Sequence, residues 1–300
     1  MRILVPVDDS SHSRHAIEFL VHRETLLGSN PEIGLVNVQY SVPEKLIKLF
    51  SLSSVKAYCL DEGRKVFERL NAETSAAKLH ATEKVLYGEP AKAIAEEVES
   101  TMPDLIIMGQ RGLNPLKSLV FGSVSNAVLA STRTPVLLLR DRTPPVTDNL
   151  RVGICVDGSE YGEAAAEFVL KHLEMFGKDA CFEVLHAAER PTAPIAPNPI
   201  SVMTPTISAE EIEAEQRQAF EKAIAPVISK FQNAGVKIDA KLVFGEPAEV
   251  LADYANEHLD LVVMGSHGYG NFTAAVMGST AMHLAARSEK PLLVIRRPED

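Results

Sequence analysis

The 300-residue chain has no tryptophan, only three cysteines, and no apolar run approaching the roughly 20 residues a bilayer-spanning helix needs. Cys59, Cys155 and Cys181 form no CxxC pair, which leaves out a zinc knuckle or disulfide framework; two of them lie in apolar segments, where a thiol packs like a small hydrophobe. Surplus positive charge is missing too. Thirty Lys and Arg stand against forty Asp and Glu, a net charge of −10, with 16 of each sign in residues 1–140 but 13 basic against 22 acidic in residues 151–300. A duplex or an anionic membrane would need a concentrated basic face, so neither is expected as a partner. No GxxxxGK[ST] is present, no GxGxxG follows a strand, and no GxSxG elbow occurs, which excludes the Walker-type, dinucleotide and serine-hydrolase patterns. The opening Met1-Arg2 runs straight into Ile3-Leu4-Val5 with no room for a signal peptide, and a cytoplasmic location is expected.

What is present is a repeat. Asp104-Leu-Ile-Ile-Met-Gly-Gln-Arg-Gly112 recurs as Asp260-Leu-Val-Val-Met-Gly-Ser-His-Gly268, an offset of 156 that holds for Gly122-Ser123 with Gly278-Ser279 and for Pro135–Arg140 with Pro291–Arg296. Gly88-Glu89-Pro90 matches Gly245-Glu246-Pro247 at offset 157, and Val7-Asp8 matches Val156-Asp157 at 149. The second copy therefore carries a net insertion of about eight residues between Asp157 and Gly245, an interval that includes the Pro-rich stretch Pro191–Pro199. Domains are expected at 1–141 and 150–300, with residues 142–149 as an exposed linker.

Each copy alternates short apolar runs with longer amphipathic stretches, the βαβα signature of a parallel sheet covered on both faces. Strands are predicted near 2–8, 32–39, 78–87, 104–109 and 135–140, then 151–157, 180–187, 236–244, 260–265 and 291–296. Helices are predicted near 11–27, 55–76, 90–100 and 122–132, then 160–175, 208–233, 247–257 and 278–287. Leu105–Met108 and Leu261–Met264 are apolar at consecutive positions, as a central strand buried on both sides requires.

Ligands of open α/β sheets bind outside the carboxyl ends of the strands, where strand order reverses. Two features of each copy should meet there. One is the carboxylate ending the first strand, Asp8 or Asp157, with Ser10 or Ser159 capping the helix that follows. The other is the loop ending the fourth strand, Gly109-Gln-Arg111-Gly112 or Gly265-Ser-His267-Gly268, followed nine residues later by Gly122-Ser123 or Gly278-Ser279. Glycines let a bulky phosphate approach the backbone and allow turns that aim successive N–H groups inward. The helix start adds unpaired donors and about half a positive charge. Ser123, Ser125, Ser279 and Thr280 offer hydroxyls, and Arg111 and His267 occupy equivalent cationic positions. Packing alone would tolerate alanine or a shifted spacing, so the same Gly-x-x-Gly-x9-Gly-Ser in two diverged copies favours a polyphosphate site.

These residues resemble the universal stress protein family in its tandem form, over essentially the whole chain. The likeness is carried by Val5-Pro6-Val7-Asp8 with Ser10, the Gly-Glu-Pro, the Asp-Leu-Ile-Ile-Met-Gly strand, and the glycine motif with Gly122-Ser123-Val124-Ser125. The resemblance implies two tandem Rossmann-like (adenine nucleotide alpha hydrolase-like) domains, each a five-stranded parallel sheet of order 3-2-1-4-5. It also implies pairing through the fifth strands and ATP binding, with Mg2+ as an accompanying ion. Carried over residue by residue, the adenosine would meet Pro6, Val7, Asp8 and Val38 in copy one and Val156, Asp157 and Ala187 in copy two, with the glycine motifs on the phosphates. The chain departs from the family in three places. Asp9 replaces the usual glycine and adds a negative charge, Cys155 replaces the proline, and Thr280-Ala281 replaces Val-Ser. Arg111 stays charged where His267 is mostly neutral, which favours copy one for phosphate affinity.

Other motifs carry less. His12 and His15 lie three apart near Asp8 and Asp9, too few groups for a metal site. His186 ends the second strand of copy two, where it either lines the crevice or is internally satisfied, and Glu210–Glu215 suits a helix N-terminus. The fifth strands, Val136–Leu139 and Leu292–Ile295, are apolar edges expected to pair with each other as an intrachain pseudo-dimer, with association of whole chains also open. The expected function is an ATP-binding regulatory protein with unidentified protein partners and at most slow hydrolysis, because no general base can be named. The rival readings are a nucleotide-independent scaffold with vestigial crevices, or an adenine-nucleotide enzyme using Asp8 or Asp157 to hold Mg2+.

Overall fold

The computed structural model describes residues 1–23, 31–40, 52–110, 123–140, 149–189, 209–267 and 277–296. Copy one runs β1 (Arg2–Pro6), α1 (Ser11–His22), β2 (Glu32–Gln39), α2 (Leu52–Glu73), β3 (Thr82–Tyr87), α3 (Pro90–Thr101), β4 (Leu105–Gly109), α4 (Ser123–Ser131) and β5 (Val136–Leu139). Copy two repeats the order as β6 (Arg151–Cys155), α5 (Glu160–Lys171), β7 (Cys181–Ala188), α6 (Ala209–Asn233), β8 (Ile238–Phe244), α7 (Pro247–His258), β9 (Leu261–Gly265), α8 (Ser279–Arg287) and β10 (Leu292–Ile295). The Pro-rich stretch and residues 142–148 of the expected linker lie outside the described residues.

Two segments differ from the sequence expectation. Ala76–Leu79, expected to hold the end of the second helix and, from residue 78, the start of β3, is a 3-10 turn whose Ala76 and Leu79 are buried, and His80 leaves it at φ 48°. The first helix of copy two stops at Lys171, and Leu173–Phe176 forms a 3-10 turn that buries Met175 and Phe176. An apolar residue looks the same in sequence whether a strand, a helix or a tight turn delivers it to the core.

All ten strands form one sheet in the order β3-β2-β1-β4-β5-β10-β9-β6-β7-β8. Within each copy neighbouring strands are parallel, and the two halves join through β5 and β10, which pair antiparallel with Leu137 opposite Leu293. Reciprocal arginines lock this joint. Arg140 donates to the carbonyl oxygens of Ala285 and Ala286 at the end of α8, and Arg296 donates to Leu129, Ala130 and Thr132 at the end of α4, each at 3.0 Å. A cation at a helix C-terminus meets both unpaired carbonyls and the negative end of the macrodipole.

Side chains alternate across the sheet, so Ile3 and Val5 enter the apolar layer on one face and Leu4 the layer on the other. Each layer runs through both copies. No described helix is long and apolar enough to cross a membrane.

The repeated Gly-Glu-Pro is a helix-start device. Gly88 and Gly245 sit at φ 148° and 146°, the Glu89 carboxylate accepts from the N–H groups of Ala91 and Lys92, and Pro90 and Pro247 occupy the first helical turn.

Candidate functional site

Each copy encloses a cavity at the carboxyl ends of its strands. In copy one Pro6, Val7, Asp8, Val38, Gly109, Ser123, Val124 and Ser125 line about 270 Å³. In copy two Val156, Asp157, Ala187, Gly265, His267, Gly278, Ser279 and Thr280 line about 350 Å³. The first-strand carboxylate and the last helix start thus meet across one cavity in both. Arg111, Gly112, Gly122 and Gly268 fall outside the described residues.

The helix start supplies donors. In α8 the first intrahelical bond recorded at its start runs from Met282 N to Gly278 O at 3.0 Å, so the N–H groups of Ser279, Thr280 and Ala281 precede it at the cavity wall. Gly278 N itself is bound to Ser266 O at 2.8 Å, which fixes the loop against the end of β9.

The first glycine of each motif has a packing role in addition to lining the cavity. A Cβ on Gly109 would overlap the His12 carbonyl oxygen of α1, and one on Gly265 would lie 2.5 Å from the Tyr161 Cβ of α5. Neither residue has positive φ, so close helix–strand approach rather than an unusual turn requires glycine there.

The carboxylate ends differ between copies. Asp8 Oδ1 accepts from Ser10 N at 3.1 Å, from Ser10 Oγ and from Ser13 Oγ at 2.6 Å, while Ser13 N donates to Ser10 Oγ at 3.3 Å. Asp157 Oδ1 accepts from Ser159 N at 3.0 Å, and Gly162 stands where Ser13 stands in copy one. Ser10 caps α1 with its side chain, but Ser159 occupies the cap position of α5 without a side-chain bond, leaving a buried hydroxyl without a partner. The additional charge of Asp9 is met by Arg69 at 3.1 Å and Arg14 at 3.8 Å, and Asp9 is not among the cavity-lining residues.

Sequence reasoning missed Asn37 and left His186 between lining the crevice and being internally satisfied. Asn37 Nδ2 donates to Val7 O at 2.8 Å, and His186 Nδ1 lies 2.9 Å from Val156 O, so in both copies a second-strand side chain pins the carbonyl beside the first-strand aspartate. Their equivalence at offset 149 was readable, but an amide and an imidazole share no residue type. Pro90 and Pro247 also wall the cavities, a role visible only once α3 and α7 are placed.

His267 lies with its ring centroid 5.3 Å from that of Tyr161 and its Nδ1 3.0 Å from Ser266 Oγ, while Nε2 is buried with no hydrogen-bond partner among the described residues. In the tautomer in which the serine hydroxyl donates to Nδ1, Nε2 is a donor beside a helix N-terminus, a pairing that fits an anion. Cys155, in the place of Pro6, is buried at the cavity wall, and burial pushes its thiol up to about 12, so it acts as an apolar wall rather than a thiolate.

The profile of the universal stress protein family matches residues 1–140 and again 149–296. A universal stress protein of Mycolicibacterium smegmatis is 24% identical over 98% of this chain and 96% of its own length, and one from Mycobacterium tuberculosis is 24% identical over the same shares. The crystal structure of a universal stress protein from Archaeoglobus fulgidus superposes with a TM-score of 0.67 at 23% identity, covering 99% of this chain and 98% of that one. With both halves matched and the fold shared end to end, the chain belongs to the universal stress protein family as a tandem of two such units.

Proposed function

We propose that the chain is a cytoplasmic ATP-binding regulator of the stress response, whose nucleotide sites set its conformation or its choice of protein partner. The observation that carries this reading is the convergence, in both copies, of the first-strand carboxylate and the start of the last helix on one cavity. Adenosine would lie against Pro6, Val7, Asp8 and Val38, or Val156, Asp157 and Ala187. The phosphates would lie on the starts of α4 and α8, with Arg111 and His267 as added donors. Mg2+ would neutralise phosphate charge, and Asp8 and Asp157 are the carboxylates the two cavities offer. No catalytic step is assigned.

The test is to purify the protein without added nucleotide, denature it, and identify released small molecules by mass spectrometry with their molar ratio. About one or two ATP per chain is the expected result. An empty protein that also gives no heat on ATP titration overturns the reading and favours a scaffold.

A further inference from the structure

A further cavity, of about 540 Å³, lies at the amino ends of β1, β2 and β3 beneath the C-terminal half of α3. Its volume falls within the roughly 300–1,000 Å³ of small-molecule sites. Copy two shows why it exists. In copy one Leu4, Gly34 and Thr82 stand in register across three strands, and in copy two the same row is Gly153, Glu183 and Asp239. The eighth residue of α3 is Glu97 and the eighth of α7 is Tyr254. The tyrosine fills its copy. Its hydroxyl donates to Glu183 Oε2 at 2.6 Å, and Lys241 Nζ sits 5.5 Å from the ring centroid. Past the helix, Leu259 turns inward and is fully buried in copy two, whereas Met102 of copy one takes a left-handed conformation at φ 46° and is 75% exposed.

Copy one keeps the cation and a carboxylate but not the ring. Lys84, in register with Val36 as Lys241 is with Leu185, pairs with Glu97 Oε2 at 2.6 Å. The Glu97 side chain is only 8% exposed, and Lys84 Nζ donates to its Oε2. Gly34 puts no side chain on the floor, where a Cβ would meet only ordinary contacts, the nearest at 3.6 Å from Leu4 Cδ1. We propose that this cavity binds a small molecule bearing a phenolic ring, the ring lying over Lys84 and its hydroxyl donating to Glu97, so that the ligand completes the set of ring, cation and carboxylate that Tyr254, Lys241 and Glu183 form in the other copy, with the carboxylate on the helix instead of the strand. The proposal does not depend on nucleotide binding.

The test titrates p-cresol, the free tyrosine side chain, and toluene, which lacks the hydroxyl, into the full chain. Binding is read by ligand-observed NMR and by the amide shifts of Gly34, Thr82 and Lys84. Saturable p-cresol binding that moves those amides, with toluene at least about tenfold weaker, is the expected result, because toluene cannot make the charge-assisted hydrogen bond. The double variant Gly34→Glu/Glu97→Tyr, which installs the pair of copy two, should abolish p-cresol binding. Equal affinity for the two probes, shifts that spare Gly34 and Thr82, or undiminished binding by a folded double variant each overturn the proposal. If the double variant does not fold, the amide map and the probe comparison on the natural chain decide.

Discussion

The two copies share strand order, helix starts and the geometry of their carboxyl-end cavities, yet they fill the opposite end of the sheet by different means. Copy one puts bulk on β1 with Leu4 and leaves β2 bare at Gly34; copy two leaves β6 bare at Gly153 and puts bulk on β7 with Glu183. The exchange extends into the helices, where Tyr254 and Leu259 occupy space that Glu97 and Met102 do not. Such layers tolerate redistribution of volume as long as total packing is kept, and copy one has kept less of it.

The comparison is broken most strongly at the glycines. A Cβ on Gly153 would overlap Leu259 Cδ1 and lie 2.9 Å from Leu185 Cδ1, whereas one on Gly34 meets only ordinary contacts at 3.6 to 3.9 Å. Gly153→Ala should destabilise by about 1–3 kcal/mol through overpacking, and Gly34→Ala by less than about 0.5 kcal/mol, read from urea unfolding midpoints. Equal costs would mean that the two rows are not packed as described.

A smaller effect is expected at the start of β9. Asp260 Oδ2 accepts from Arg151 N at 2.9 Å and Oδ1 from Arg151 Nη2 at 3.1 Å. Burial alone would raise the Asp260 pKa, but the hydrogen bonds and charge of Arg151 together outweigh it and hold the carboxyl below its ordinary value. A carboxyl depressed on folding stabilises the protein fully above its unfolded value of about 3.9, and that contribution is lost as pH falls through the folded value. Asp260→Asn should cost about 1–2 kcal/mol at pH 7, discounted for the half-exposed arginine. It should also flatten this part of the acid limb of a stability–pH profile.

The smallest difference separates the two cap serines. Ser10→Ala removes a side-chain cap and should cost about 1 kcal/mol, while Ser159→Ala removes a buried hydroxyl with no partner and should be neutral or slightly stabilising. Thermal unfolding of the two variants side by side checks this, and a larger loss for Ser159→Ala would contradict the structure.

Most of the architecture was legible in sequence because apolar period and repeated motifs report burial directly, as Leu105–Met108 does for β4. The cavity residues were legible where two copies preserved the same type, as with Gly109 and Gly265. Legibility failed where a role passes between unlike residues. The repeat offsets align Asn37 with His186 and Glu97 with Tyr254, but the residue types share no chemistry that marks a common place until strand register sets each beside its target. It also failed for the reason behind the first glycines, because the approach of α1 to β4 is a tertiary fact. Leu79 was misplaced for a related reason: burial pattern alone does not separate a short strand from a single turn.

The antiparallel joint at β5 and β10 has a directional consequence. Strands of one copy run head to tail against those of the other, so their carboxyl ends, and with them the two crevices, open on opposite rims of a single slab. Whatever covers the crevice on one rim leaves the other rim open. The halves themselves meet at two four-residue strands and the two arginines that rivet them together.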